Sequence, residues 1–227
     1  MKKKTIALAL VLVMVFGATL GGTFAYLTSQ DTVVNTFTVG NVQIKLDEAK
    51  VNAYGEAVDA NGKTASEVTE GPWAPAPRVK ANEYKLLPGH PYNKDPMVTV
   101  LKGSESAYIK MTVTFTKAAE LDAIFAPTGA DLTSIFKGYD RANWIAKGNT
   151  KDTNANTRTY EFWYKEAVAA PTADVPLDAL FDSITVPGSI TNTQLDTIKG
   201  MTITVNAYAI QADGFANADA AWAAYAG

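Results

Sequence analysis

The residue types that carry most enzymatic and metal chemistry are scarce in this chain. It has no cysteine and a single histidine, His90, set between Gly89 and Pro91. A zinc site draws on several Cys and His ligands, and a hydrolytic triad needs a histidine held between a nucleophile and an acid. One histidine in a turn supplies neither, so no catalytic residue and no transition-metal ligand set is assigned. Asp47, Glu48 and Asp95 are oxygen ligands of the kind a hard cation such as Ca²⁺ takes. The plainer expectation, adopted here, is that they are exposed acids at strand ends, with no bound metal. No glycine-rich phosphate loop or nucleotide fingerprint is present, and no cofactor is expected. The bond with the clearest chemistry is one to be cut. Ala25 is small, Thr23 lies two positions before it, and Tyr26 follows.

That bond closes an export signal. Lys2, Lys3 and Lys4 form a short basic start, and residues 5–20 follow without a charge. The layout is that of a helical secretory signal peptide, residues 1–25, cut between Ala25 and Tyr26. The protein is then secreted, to the extracellular matrix or cell surface, and touches the membrane only before cleavage. The chain has 20 basic and 23 acidic residues; losing the three lysines of the signal leaves 17 against 23, a net charge of −6. Such a balance disfavours a nucleic-acid partner, which would need a basic stripe. About 200 residues remain after processing, enough for one domain with its own core. Without cysteine, that domain cannot use the disulfides common in exported proteins.

The elements follow from apolar periodicity. Residues 26–34 are polar in the middle and apolar at both ends, with little reason to fold alone. Residues 35–48 have strand character, and their alternation changes phase across Gly40-Asn41, which suits a β-bulge at a residue tolerating positive φ. Residues 49–80 form a long loop insertion holding a plausible hairpin turn at Asn61-Gly62 and Trp73 among prolines. Residues 97–101 read as a strand. Residues 107–116 alternate strictly, with Ala107, Ile109, Met111, Val113 and Phe115 on one face. Residues 117–125 have helical spacing, and 131–136 suit a further helical turn. Residues 143–146 and 157–165 make a strand pair joined by a polar loop. Residues 176–184 read as a short helix, 194–199 as another turn of helix, 201–211 as a strand and 216–226 as a helix. Such strands with short inserted helices give a mainly β, antiparallel two-sheet sandwich over residues 35–227.

Several stretches carry a family likeness. GGTFAYLTSQDTVVNTFTVGNVQIKLDE at the start, KLLPGHPYNKDPMVTVLKGSESAYIKMTVTF in the middle and MTITVNAYAIQADGF near the end resemble the TasA/camelysin family. These are exported Gram-positive proteins processed by a SipW-type signal peptidase, which the resemblance implies as a partner. It implies a jelly-roll form of the sandwich. Its TasA branch implies a structural, non-enzymatic protein that polymerises head to tail with itself into biofilm matrix fibres, with an accessory matrix or anchoring protein as a further partner. Its camelysin branch implies a secreted metalloprotease, for which no ligand set is visible. A monomeric adhesion or carbohydrate-binding sandwich is the third reading. The fibre reading needs an extended donor strand, and Tyr26, Leu27, Thr28, Ser29, Gln30, Asp31, Thr32, Val33 and Val34 supply one. Nine residues reach about 30 Å when extended.

Cleavage after Ala25 is directly checkable. Ala25→Trp should leave full-length precursor in the membrane fraction, and the secreted wild type should begin at Tyr26 by N-terminal sequencing. A mature chain starting near Asn35 would remove both the site and the donor segment.

Overall fold

The computed structural model describes residues 40–125 and 136–225, all within one compact unit that spans Val39–Gly227. In chain order these residues form β1 (Ile44–Asp47), β2 (Pro91–Asn93), β3 (Met97–Val100), β4 (Ala107–Thr116), helix α1 (Ala118–Phe125), β5 (Phe136–Lys137), β6 (Trp144–Asp152), β7 (Thr157–Tyr164), β8 (Val175–Pro176), β9 (Ser183–Thr185), helix α2 (Asn192–Thr197), β10 (Ile203–Gln211) and helix α3 (Ala218–Ala224). The fold is mainly β, and every strand pairing is antiparallel. The expectation was two sheets; there are three, ordered β1-β3-β8, β10-β4-β7-β6 and β2-β9-β5.

β4 is the centre of the molecule because its alternation is complete. Ala107, Ile109, Met111, Val113 and Phe115 are buried, and the residues between them are only half-covered. The strand pairs with β10 on one side and β7 on the other. One core gathers this face with Val98 and Val100 of β3, Phe136 of β5 and Ile184 of β9, so all three sheets close on it. Phe115 packs edge-on against Tyr160, and Phe136 stacks on Phe181 at 4.4 Å between ring centres. On the opposite face of β4, helix α3 lies over the sheet. The Lys110 ammonium sits 4.6 Å from the Trp222 ring centre, 5.2 Å from Tyr225 and 5.4 Å from Tyr208. This cation–π contact fastens a short helix that would be marginal alone.

Local chemistry sets the ends of the elements. Lys117 adopts a left-handed φ of 57° and ends β4. The Asn156 side chain and carbonyl then accept the first amide hydrogens of α1, from Ala119 and Ala118. β6 runs on through Gly148, where a bulge shifts its register against β7. The connecting turn is therefore shorter than the polar stretch suggested. Residues 176–184 are not a helix. Leu177, Leu180 and Phe181 are buried, but their segment donates elsewhere: Leu177 N–H to Val98, Leu180 N–H to Pro96 and Asp182 N–H to Lys137. Apolar spacing alone misleads when the backbone bonds go across to neighbouring strands. Phe136, placed in a helical turn by its pattern, belongs to β5; residues 131–135 lie outside the described residues. Ile203 and Val205 face the core side yet are only half-buried, because β10 is the last strand of its sheet.

Truncating Phe115 tests the inward face. Phe115→Ala should cost about 3–5 kcal/mol in denaturant unfolding, whereas Thr112→Ala on the other face should cost less than about 1 kcal/mol. Equal losses would mean that the face is assigned wrongly.

Candidate functional site

Two strand edges meet without pairing. In an antiparallel ladder, alternate residues direct their backbone groups to opposite sides. On β10, the Thr116 N–H donates to the Thr202 carbonyl at 3.1 Å, so the even-numbered residues face β4. Ile203, Val205, Ala207 and Ala209 therefore point their N–H and C=O groups away, and no described residue pairs with them as a strand. Their side chains lie opposite Phe115, Val113, Met111 and Ile109 and share the core face. On β1, the Leu101 N–H donates to Gln43, so Ile44, Leu46 and Glu48 face the other way. Glu48 uses that edge to exchange two 2.8 Å hydrogen bonds with Val79. Ile44 and Leu46 beside it remain half-buried.

Between these edges runs a groove. One cavity of about 660 Å³ is lined by β1, by Asn82 and Lys94, and by Ile203, Thr204 and Val205. A second, of about 900 Å³, shares Asn82, Lys94 and Ile203 and continues past Tyr84 and Leu86 to Leu195 and Met201. Glu105 N–H donates to the Asn41 carbonyl and Ala212 N–H to Ser106, so the residues before β1 and those after β10 meet at one loop. Gly40 packs closely on Glu105: a Cβ would sit 2.9 Å from that flexible side chain, which would have to shift. It does not take the positive φ expected of a bulge.

An ionic network borders the groove, whose lining includes Asp47, Glu48, Asn82 and Lys94. Arg78 places Nε 2.6 Å from Asp47 Oδ1 and Nη1 2.7 Å from Asp95 Oδ2. Its Nη2 also donates to the carbonyls of Asp47 and Asp95. Lys45 reaches the other Asp47 oxygen at 2.6 Å. Lys94 Nζ lies 2.6 Å from Glu48 Oε2, and both side chains are 8% exposed. Asn82 Nδ2 donates to Glu48 Oε1 at 3.0 Å, and the Ala49 N–H donates to Asp95 Oδ1 at 2.7 Å. Asp47 and Glu48 are thus not exposed acids at strand ends; they are buried and paired. The network clips the 49–80 loop to the body, and that loop carries its own buried Val51 and Val58. Burial pushes the Asp47 carboxyl up, but hydrogen bonds from Lys45 and Arg78, with their charges, outweigh it and hold the group below its usual range.

The other sequence candidates fall as follows. A His90 ring nitrogen lies 2.7 Å from the Tyr54 carbonyl oxygen, so it must donate there, and the ring packs edge-on to Tyr92. Trp73 is half-buried and donates its indole N–H to the Lys63 carbonyl, a contact within its own loop. Asn61-Gly62 forms a turn closed by Asp59 N–H to the Lys63 carbonyl, with no strands flanking it. Among the described residues no three His, Asp or Glu side chains gather where a metal ion could sit. Ala25, Tyr26 and the 26–34 segment lie outside the described residues. Sequence reasoning missed Arg78, Asn82 and Lys94, the partners of the acids; the only signal was the clustering of acids themselves. Set against known proteins, the chain matches no family model, no curated sequence and no solved structure.

The Asp47 shift has a pH signature. A carboxyl whose folded pKa is depressed adds stability above its unfolded pKa and loses it as the pH falls through the folded one. Unfolding free energy should therefore drop on acidification below about pH 4, and Asp47→Asn should flatten that acid limb. Arg78→Ala should cost roughly 3 kcal/mol and Lys45→Ala, on the exposed side, less than about 1 kcal/mol. An acid limb unchanged in Asp47→Asn would remove Asp47 from this account.

Proposed function

We propose that this is an exported structural protein that polymerises into extracellular fibres by donor-strand exchange. On this reading the three sheets compose a jelly-roll sandwich, and a SipW-type peptidase cuts after Ala25. Residues 26–34 of one copy then pair with the open edge of β10 on the next. The family resemblance supplies the frame, with a biofilm matrix as the setting. The observation that carries the proposal is the edge itself. Ile203, Val205, Ala207 and Ala209 combine half-buried apolar side chains with outward backbone groups. An extended peptide added there gains main-chain hydrogen bonds, while alternate side chains, Leu27 and Val33, enter the groove.

Geometry favours addition to β10 over insertion between both edges. A strand paired on both sides needs about 9.5 Å between its neighbours. Where β1 and β10 run closest, their Cα atoms lie within 8 Å. Pairing with β10 alone asks for one ladder spacing of about 4.8 Å, half of what pairing with both edges requires. An exposed edge of this kind is a template for another chain, and a contact in which each copy gives one strand and takes one propagates into an open filament.

Both halves of the contact can be tested by electron microscopy of the purified mature protein. A chain lacking residues 26–34 should stay folded by circular dichroism yet form no fibres. Ala207→Pro removes one outward donor without touching the bond to β4; it should also block growth, and it should stop wild-type fibres when mixed in. Normal fibres from either variant would sink the mechanism.

A further inference from the structure

Lys94, Glu48 and Asn82 stand in an arrangement that an ion pair does not require. One carboxylate bridges an amine and a carboxamide: Glu48 Oε2 holds Lys94 Nζ at 2.6 Å, and Glu48 Oε1 holds Asn82 Nδ2 at 3.0 Å. The second Nδ2 hydrogen goes to the Ala49 carbonyl at 2.9 Å. The Val51 backbone N–H donates to Asn82 Oδ1 at 3.0 Å. These partners fix the amide orientation, since two acceptors face the nitrogen and one donor faces the oxygen. Lys94 and Glu48 are buried, and Tyr84 beside them has its phenol pushed up by burial first and by the Glu48 charge second.

We propose that Lys94 and Asn82 join through an intramolecular isopeptide bond, with Glu48 as the proton carrier. Lys94 Nζ passes a proton to Glu48 Oε2, and its freed lone pair attacks Asn82 Cγ. Negative charge gathers on Oδ1, where the Val51 N–H already donates. Glu48 returns the proton to Nδ2, the Cγ–Nδ2 bond breaks, and the nitrogen departs. An alkylammonium and a carboxamide enter; a secondary amide and ammonium leave. The second proton lost from Nζ goes out with the ammonia, the Glu48 carboxylate is regenerated, and nothing is oxidised or reduced. The nucleophile has to come within about 3–3.5 Å of Cγ, and a single carboxylate holds both reacting groups. The bond ties the extended segment at Asn82 to the end of β2, giving a covalent staple to a chain that has no cysteine. It is independent of fibre formation.

Peptide mass spectrometry of the secreted wild type decides the matter. Trypsin cutting after Lys80, Lys85 and Lys102 should release residues 81–85 joined to residues 86–102, uncut after Lys94 and lighter by one ammonia than the two together. Recovery of unlinked 81–85 and 86–94 as the main products would overturn the proposal. Glu48→Gln, with its fold checked by circular dichroism, should yield only unlinked peptides; a linked Glu48→Gln chain would remove Glu48 from the reaction. The wild-type digest settles the bond itself whether or not that variant folds.

Discussion

The closed packing of β4 is the constraint on which the other elements depend. Its five inward side chains are all buried, and it is the strand that both β10 and β7 pair along. A strand paired on both sides has no freedom of register, because a slip of one residue would turn Met111 and Val113 outward. The aromatic cluster of Phe115, Phe136, Tyr160 and Phe162 is organised around that fixed face. So is the outer surface, where Lys110 meets the rings that hold α3.

The ionic network solves a different problem. A loop as long as residues 49–80 is costly to order, and little of it is apolar enough to bury. Arg78 makes four hydrogen bonds in a planar fork, two to carboxylates and two to carbonyls, which fix the loop's return to β1. Burial of Asp47 and Glu48 is tolerable only because each is met by a cation and by further donors. The acids at this border of the groove are therefore held in place beside its half-buried apolar side chains.

What the sequence made legible followed from periodicity. Residues 107–116 alternate without a fault, and β4 has those ends and buries that face. The helix at 118–125 and the pairing of β6 with β7 were legible for similar reasons. The 176–184 segment was not, because Leu177, Leu180 and Phe181 sit at helical spacing while their backbone bonds go to other strands. Spacing reports where side chains are buried and says nothing of where amides donate. The third sheet was invisible because β2, β5 and β9 are two or three residues long, too short for any period to register. The acids at Asp47, Glu48 and Asp95 drew notice, but their partners are spread over residues 45–94 and only the fold gathers them.

The two ends of the β10-β4-β7-β6 sheet differ in kind. β6 is bulged at Gly148, and its lysines are engaged: Lys147 lies 3.9 Å over the Trp163 ring, and Lys151 pairs with Asp122 at 2.7 Å. Twist and charge make that border a poor template. β10 has neither a bulge nor a lysine along its length. The sheet thus has a valence of one. A strand joining at β10 leaves a far border that twist and charge guard, which disfavours branching or broadening through this sheet.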